Sequence, residues 1–342
     1  QRGHQRNRYL GPRLPTRYYC ENFVQQIRSV WQLDMILRPS LGGSTRRNVP
    51  FPLDISGMPT ARLAYGLRQL RAGYTGNAIR VRRDTGGGSG DDDEADVAFH
   101  NREVSLNSTV STGGTLRDFV GSNTAHITTW YNQSGNTSTQ QGGGVWNGYA
   151  TAPDATSTTH TQQPELISSG VFNKGLKFVT SGGYSAAGDF LSVANYRLPN
   201  TDDNFSFIFS GVTFSFSETQ GLIGNIDNFN DGAEMISLST GPYRLAVDGN
   251  DEDSAGSHST NVRMIVSSYY DRQRSSAQSG DGKSMILRVS GVETTMDVDE
   301  DKHVSNSGRF RIGCRNINNN PLNGMCREVY VFDSSAGSGQ AA

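Results

Sequence analysis

Phe205-Ser-Phe-Ile-Phe-Ser-Gly-Val-Thr-Phe-Ser-Phe216 is the stretch that decides the fold class. Its aromatic residues largely alternate with small ones, and in an extended chain successive side chains point to opposite faces. A long strand or a hairpin would stack these rings on one face, where a second sheet can bury them. The same period of two returns at Arg327-Glu-Val-Tyr-Val-Phe-Asp333. There Val329, Val331 and Asp333 share one face and Tyr330 and Phe332 the other, as expected of a strand between two packed layers.

Working outward, strand-length runs separated by Gly, Asn and Asp recur from Ala125 to the end. They are 126–131, 176–179, 190–193, 235–238, 244–247, 262–267, 284–289 and 309–313. Only 34% of the 342 residues are hydrophobic and forty are glycine, the composition of many short strands joined by turns. No fixed-period repeat occurs, which excludes solenoids and propellers. No run approaches the roughly 18 apolar residues of a membrane span. Leu63, Leu67 and Leu70 suggest a short helix, Ala78–Arg83 a strand, and Thr115–Val120 a helical turn. Gly86–Glu94 reads as a flexible acidic loop. Cys314 and Cys326 can pair if they lie on neighbouring strands, but read first as two buried, reduced thiols; three cysteines make no disulfide framework for a chain of this size, so folding in a reducing compartment is expected. The chain begins at Gln1 with no apolar leader region, which reads as processing or trimming.

Charge divides the chain. Residues 1–50 hold nine arginines against Glu21 and Asp34, a net +7; with −2 for the whole, the remainder carries −9. Residues 1–20 mix Arg, Gly, Pro and Tyr without periodicity, as in an extended arm. A short helix is expected after them, with Phe23, Ile27, Val30 and Trp31 on one face, ending at Pro39. The body is expected to span 51–342. Arg8, Arg13, Arg17, Tyr18, Tyr19, Phe23, Ile27 and Trp31 are the candidate partner-binding residues of the arm. A protein surface suits them better than nucleic acid, because the charge is diluted by apolar anchors.

Two blocks carry a resemblance. Ala64-Tyr-Gly-Leu-Arg-Gln-Leu-Arg-Ala-Gly-Tyr-Thr-Gly-Asn-Ala-Ile-Arg-Val-Arg-Arg83, with Ile127-Thr-Thr-Trp-Tyr-Asn-Gln-Ser-Gly-Asn136, is similar to a module of phage structural proteins and to the catalytic domain of fungal arabinofuranosidase B. Phe310–Asn316 and Leu322–Asp333 resemble the last two strands of laminin-G or concanavalin-A-like domains. The resemblance covers roughly residues 60–335. It implies an all-β, concanavalin-A/laminin-G-like jelly-roll β-sandwich. Trp130, Tyr131, Asn132, Gln133, Ser134, Gly135, Asn136, Gly313, Gly324 and Glu328 are then structural motif residues. Physically, Asn132 and Ser134 can close turns on the backbone, and Gly135 permits a positive φ.

The enzymes that share this module hydrolyse glycosides and need two carboxylates. Their pattern wants a Glu where this chain has Gly249 or Asn250, with Glu252 or Asp253 reachable by a small shift. It wants an Asp where this chain has Arg315. Loss of both implies a scaffold without that chemistry. The histidines are scattered, and no Cys-x-x-Cys, Gly-x-Ser-x-Gly or phosphate-loop pattern occurs, so no metal or cofactor is expected. Asp91–Glu94 lacks the spaced acids of a calcium loop and reads as solvated charge.

The leading expectation is a non-enzymatic structural protein of a tailed-phage virion: a head decoration, head fibre or tail-associated subunit. It would be anchored by residues 1–50 to major capsid or tail proteins, homo-oligomeric, and away from nucleic acid and membrane. A carbohydrate- or receptor-binding module, with a host-surface glycan as partner and Tyr149, Tyr184, Tyr269 and Tyr270 in or beside loops to stack on sugar, is the alternative. An arabinofuranosidase-like hydrolase is the second alternative.

Overall fold

The computed structural model describes residues 50–333 apart from 57–59, 87–91, 136–139, 142–143, 146–152, 181–187, 195, 197, 199–203, 226–231, 248–249, 255, 272–283, 297–308 and 316–319. The arm and its expected helix therefore lie outside the described residues, as do Asn136, Tyr149 and Tyr184.

The chain forms an antiparallel β-sandwich, so the expected fold class holds. Pairing outward from the C-terminal strand gives the first sheet. β20 (Gly324–Asp333) lies between β1 (Leu63–Gly66) and β11 (Asn204–Thr213). Beyond β11 follow β16 (Arg263–Asp271), β17 (Met285–Val289) and β18 (Val292–Met296). The second sheet begins with β3 (Glu94–Val97), β2 (Ile79–Asp84), β4 (Thr124–Trp130) and β7 (Ala155–Thr156). It continues through β10 (Leu191–Val193), β19 (Phe310–Ile312), β12 (Gln220–Gly224), β13 (Ala233–Ser237), β14 (Tyr243–Val247) and β15 (Asn250–Asp253). β8 (Glu165–Ser168) and β9 (Val171–Phe178) join the sheets, pairing with β4 and β20 respectively. The two-residue strands β5 (Gln140–Gln141) and β6 (Gly144–Val145) pair only with each other.

Period-two burial builds the core. Phe205, Phe207 and Phe209 of β11, with Val329 and Val331 of β20, face Ile79, Ile127, Leu245 and Ile312 of the second sheet in one continuous cluster. Tyr330, Phe332 and Ile208 point to the opposite face, where Leu53, Ala61, Ala64 and Leu70 cover them. β20 thus has apolar cover on both faces and a neighbour on each side, as its sequence predicts. Phe205–Phe216 is not a hairpin: β11 runs as one strand to Thr213. Its register against β20 shifts between Ser210 and Gly211, where a side chain on Gly211 would meet Met325 O at 2.2 Å.

Two local expectations are corrected. Leu63–Leu70 is not a helix. Leu63, Ala64, Tyr65 and Gly66 pair with Val331, Tyr330, Val329 and Glu328, so Leu63, Tyr65 and Leu67 reach the main core while Ala64 and Leu70 reach the outer cluster. Spacings of four and three fit a helix, but sheet pairing here satisfies the backbone and buries both faces. The acidic stretch is not simply solvated charge either. Asp92 pairs with buried Arg82, and Asp93 with Arg83, closing the β2–β3 hairpin. The helical turn is present as α1 (Leu116–Val120): Thr115 and Asp118 exchange side-chain and backbone hydrogen bonds in a capping box. Cys314 and Cys326 are buried and unbridged.

Candidate functional site

The Trp130–Gly135 block works as a staple. Trp130 is fully buried and its ring lies 5.7 Å from that of Tyr65. Asn132 Oδ1 accepts hydrogen bonds from Ala64 N (3.1 Å) and Ser134 N (2.9 Å), the turn closure that its sequence suggests. Gln133, wholly buried, accepts from Leu70 N at 2.9 Å and donates to Gly66 O at 2.8 Å, while its own N–H donates to Ala64 O. Gly135 has φ +66°, the left-handed region that favours glycine. Tyr131 is half-buried, and its hydroxyl donates to Asp96 at 2.6 Å. Asp96 also takes Arg80 Nε at 2.8 Å, and Arg80 in particular holds the Asp96 carboxyl below its ordinary value.

Glu328, named by its sequence only as part of a terminal strand, holds a buried network. Arg68 Nε meets one of its oxygens at 2.7 Å and the Tyr330 hydroxyl donates to the other at 2.7 Å. Burial, then the charge of Glu328, pushes the Tyr330 hydroxyl well up. Gly313 sits at φ +89° with the Phe178 ring 2.2 Å from where a side chain would begin, and Gly324 opens β20 against Val212 O. At Gly313 and Gly324 close packing leaves no room for a side chain.

The charged cluster lies elsewhere, on the outer face of the second sheet. Alternation in β13 sends Ala233 and Met235 to the core and Glu234 outward; in β14, Tyr243 and Leu245 go inward and Arg244 outward. The register sets Glu234 between Gly224 and Ala246, and Ala246 beside Asp251. Arg315, in the loop after β19, reaches back to Glu234: Nε donates to Oε1 at 2.6 Å, with Nη2 on the same oxygen. Side-chain exposures of 13% and 1% make this a buried ion pair. Arg244 grips Asp253 through Nε at 2.5 Å and Nη2 at 3.1 Å, and Asp251 through Nη1. Burial raises the Glu234 and Asp251 carboxyls above their ordinary values against the opposing pull of the arginines.

The two segments searched for carboxylates, 244–253 and the loop holding Arg315, do meet in space. The acid that links them, Glu234, escapes sequence reasoning; its one signal is a lone charge inside an apolar strand. Gly249 lies outside the described residues, and of Asn250 and Glu252 only the backbone is described, in β15 opposite Val247 and Leu245. Tyr269 and Tyr270 are corrected: both lie in β16, 6% and 0% exposed, so neither is a loop aromatic for stacking on sugar. Among the described residues, no group of three or more His, Cys, Asp or Glu could hold a metal ion.

No protein-family model matches the chain, and no curated protein matches it significantly. Among solved structures, a GH54 α-L-arabinofuranosidase soaked with a cyclic sulfate inhibitor superposes at a TM-score of 0.49 with 12% identity, covering 79% of this chain and 58% of that one. An arabinofuranosidase complexed with arabinofuranosyl-α-1,2-xylobiose gives 0.48 and 12% over the same shares. The CBM40 module of the Ruminococcus gnavus IT-sialidase, bound to α2,3 sialyllactose, gives 0.32 and 17%, over 39% of this chain and 77% of that one. This chain therefore spans little more than half of the arabinofuranosidases. The neighbours are carbohydrate-binding and glycoside-hydrolase domains, and at these TM-scores they decide nothing about the chemistry of Glu234 or Arg315.

Proposed function

We propose that the chain is a non-enzymatic β-sandwich module of a tailed-phage virion, attached through residues 1–50 and displaying its sandwich outward. The observation that supports the non-enzymatic part is the state of the outer-face carboxylates. Glycoside hydrolysis needs one carboxyl free to attack or activate water and another free to give a proton. Here Glu234 is buried against Arg315, and Asp251 and Asp253 share Arg244. The virion setting is supported by the resemblance of the Ala64–Arg83 and Ile127–Asn136 blocks and by the +7 charge of residues 1–50. Aryl arabinofuranosides and host polysaccharide are the substrates to test. No turnover is expected, and turnover abolished by Glu234→Gln or Asp251→Asn would overturn the reading. For the setting, a chain beginning near Val49 should stay folded but no longer attach to particles. Attachment undiminished by that truncation would remove the anchoring role.

A further inference from the structure

We propose that the outer face of the first sheet, over β16 and β17, is a docking surface for the chain's own N-terminal arm, with Phe23, Ile27, Val30 and Trp31 as the row that occupies it in the free protein. This goes beyond the proposed reading, which assigns residues 1–50 to the assembly and gives them no seat on the body. Residues 1–20, with five of the nine arginines, stay available to another subunit.

Cross-strand register lays one row of side chains across that face. Phe332 of β20 stands opposite Ser206 of β11, Ser206 opposite Tyr269 of β16, Tyr269 opposite Ile286 of β17, and Ile286 opposite Thr295 of β18. Alternation turns the row away from the core, since its strand neighbours Phe205, Phe207, Tyr270, Met285 and Leu287 all lie in the main cluster. Leu53, Ala61 and Leu70 cover the β20 end of the face. Beyond them the buried apolar residues of the face, among those described, are Tyr269 and Ile286. Ile286 is nevertheless only 1% exposed and Ser206 3%, while Thr295 at the margin is exposed. Side chains standing side by side on a sheet shield each other's flanks and leave their tops open. The cover over Ile286 has to come from outside the described residues.

Composition names that cover. The undescribed segments that border these strands are polar: 199–203, 272–283 and 334–342 hold no apolar side chain larger than proline, and 297–308 holds only Val298 and Val304. A loop of that kind gains little by lying on Ile286 and must give up water from its own backbone to do so. Residues 1–49 instead carry Phe23, Ile27, Val30 and Trp31 at helical steps along one face. The arm also joins the body in the right place. The described chain opens at Pro50, and Leu53 already lies in one cluster with Phe332. From β20 to β17 the face spans three strand spacings, about 14 Å, whereas the stretch from Trp31 to Pro50 can reach about 60 Å when extended. The arm's +7 against −9 on the remainder favours the same approach.

The test is thiol trapping in the full chain, in a Cys20→Ser background where the remaining thiols, Cys314 and Cys326, are buried. Ile286→Cys should react with a maleimide about ten-fold or more slowly than Thr295→Cys, its exposed cross-strand neighbour, because reaction must wait for the cover to open. Replacing Phe23, Ile27, Val30 and Trp31 together by Ser should abolish that difference. Continued silence of Cys314 and Cys326 shows that the body is still folded. Should Ile286→Cys not fold, Ser206→Cys, a near-isosteric change in the same row, takes its place with the same outcome expected. Protection that survives the four substitutions assigns the cover to a loop and overturns the inference. Protection lost on dilution assigns it to the arm of a second copy and overturns it too. Attachment to particles, kept or lost on truncation, bears on the anchoring reading alone.

Discussion

Replacing Arg315 by Met should destabilise the sandwich by about 3–5 kcal/mol, the cost of stranding one partner of a buried ion pair. The magnitude follows from the site. Glu234 is 1% exposed, the printed Arg315 contacts fall on its Oε1, and its Oε2 has no hydrogen-bond partner among the described residues. Once Arg315 is gone, the carboxylate keeps only the more distant charge of Arg244 against its burial. Removing both charges should recover most of the loss, to within about 1–2 kcal/mol of the parent. Met suits position 234, because a side chain on Gly224 would come within 2.6 Å of Glu234 Cβ and only an unbranched chain leaves that approach intact. Urea unfolding of the parent, Arg315→Met, Glu234→Met and the double variant would give the pairwise energy, read as midpoint shifts at constant slope. If Arg315→Met costs under about 1 kcal/mol, or the double variant is no better than Arg315→Met, the buried pair is not what holds this face together.

Asp189 is 7% exposed, accepts Val179 N–H at 2.8 Å, and is pushed up to about 7, chiefly by burial and further by nearby Glu165. Folding thus favours its protonated form, so stability should fall as pH rises from about 4 through about 7, with a ceiling of roughly 4 kcal/mol. Asp189→Asn should flatten that slope in pH-dependent melting, and an unchanged slope would refute it. Gln133→Ala strands the Leu70 N–H and Gly66 C=O, and chemical unfolding should report a loss of about 2–4 kcal/mol. Val331→Ala, at a wholly buried site on β20, should cost about 2 kcal/mol by the same measurement; a neutral result would mean that the strand is not interior.

Period-two patterns made the sandwich legible. In Phe205–Phe216 and Arg327–Asp333 both faces are decided by residues next to one another in sequence, so no knowledge of partners was needed. Leu63–Leu70 misled because its leucine spacing suits a helix equally well, and only the strand it pairs with, some 260 residues away, decides. The cluster was half legible. Arg315 and the 244–253 segment stood out by their departure from a resembled pattern. Glu234 joins them only through cross-strand register, which one sequence does not display. Tyr269 and Tyr270 looked like loop residues because polar residues follow them, yet β16 continues to Asp271.

The staple at Asn132 and Gln133 has one more consequence. On the side of β1 away from β20, the backbone groups of Ala64 and Gly66 are taken by a side-chain amide, a glutamine N–H and a carboxamide carbonyl. An open strand margin offers a ladder of donors and acceptors to any other extended chain, which is how sheets from different molecules fuse and how fibrils start. By answering that ladder with two side-chain amides and one backbone N–H, the Tyr131–Gly135 turn makes this flank of the sheet unreceptive to a further strand. Copies crowded at high local concentration can then stand side by side here without zipping together.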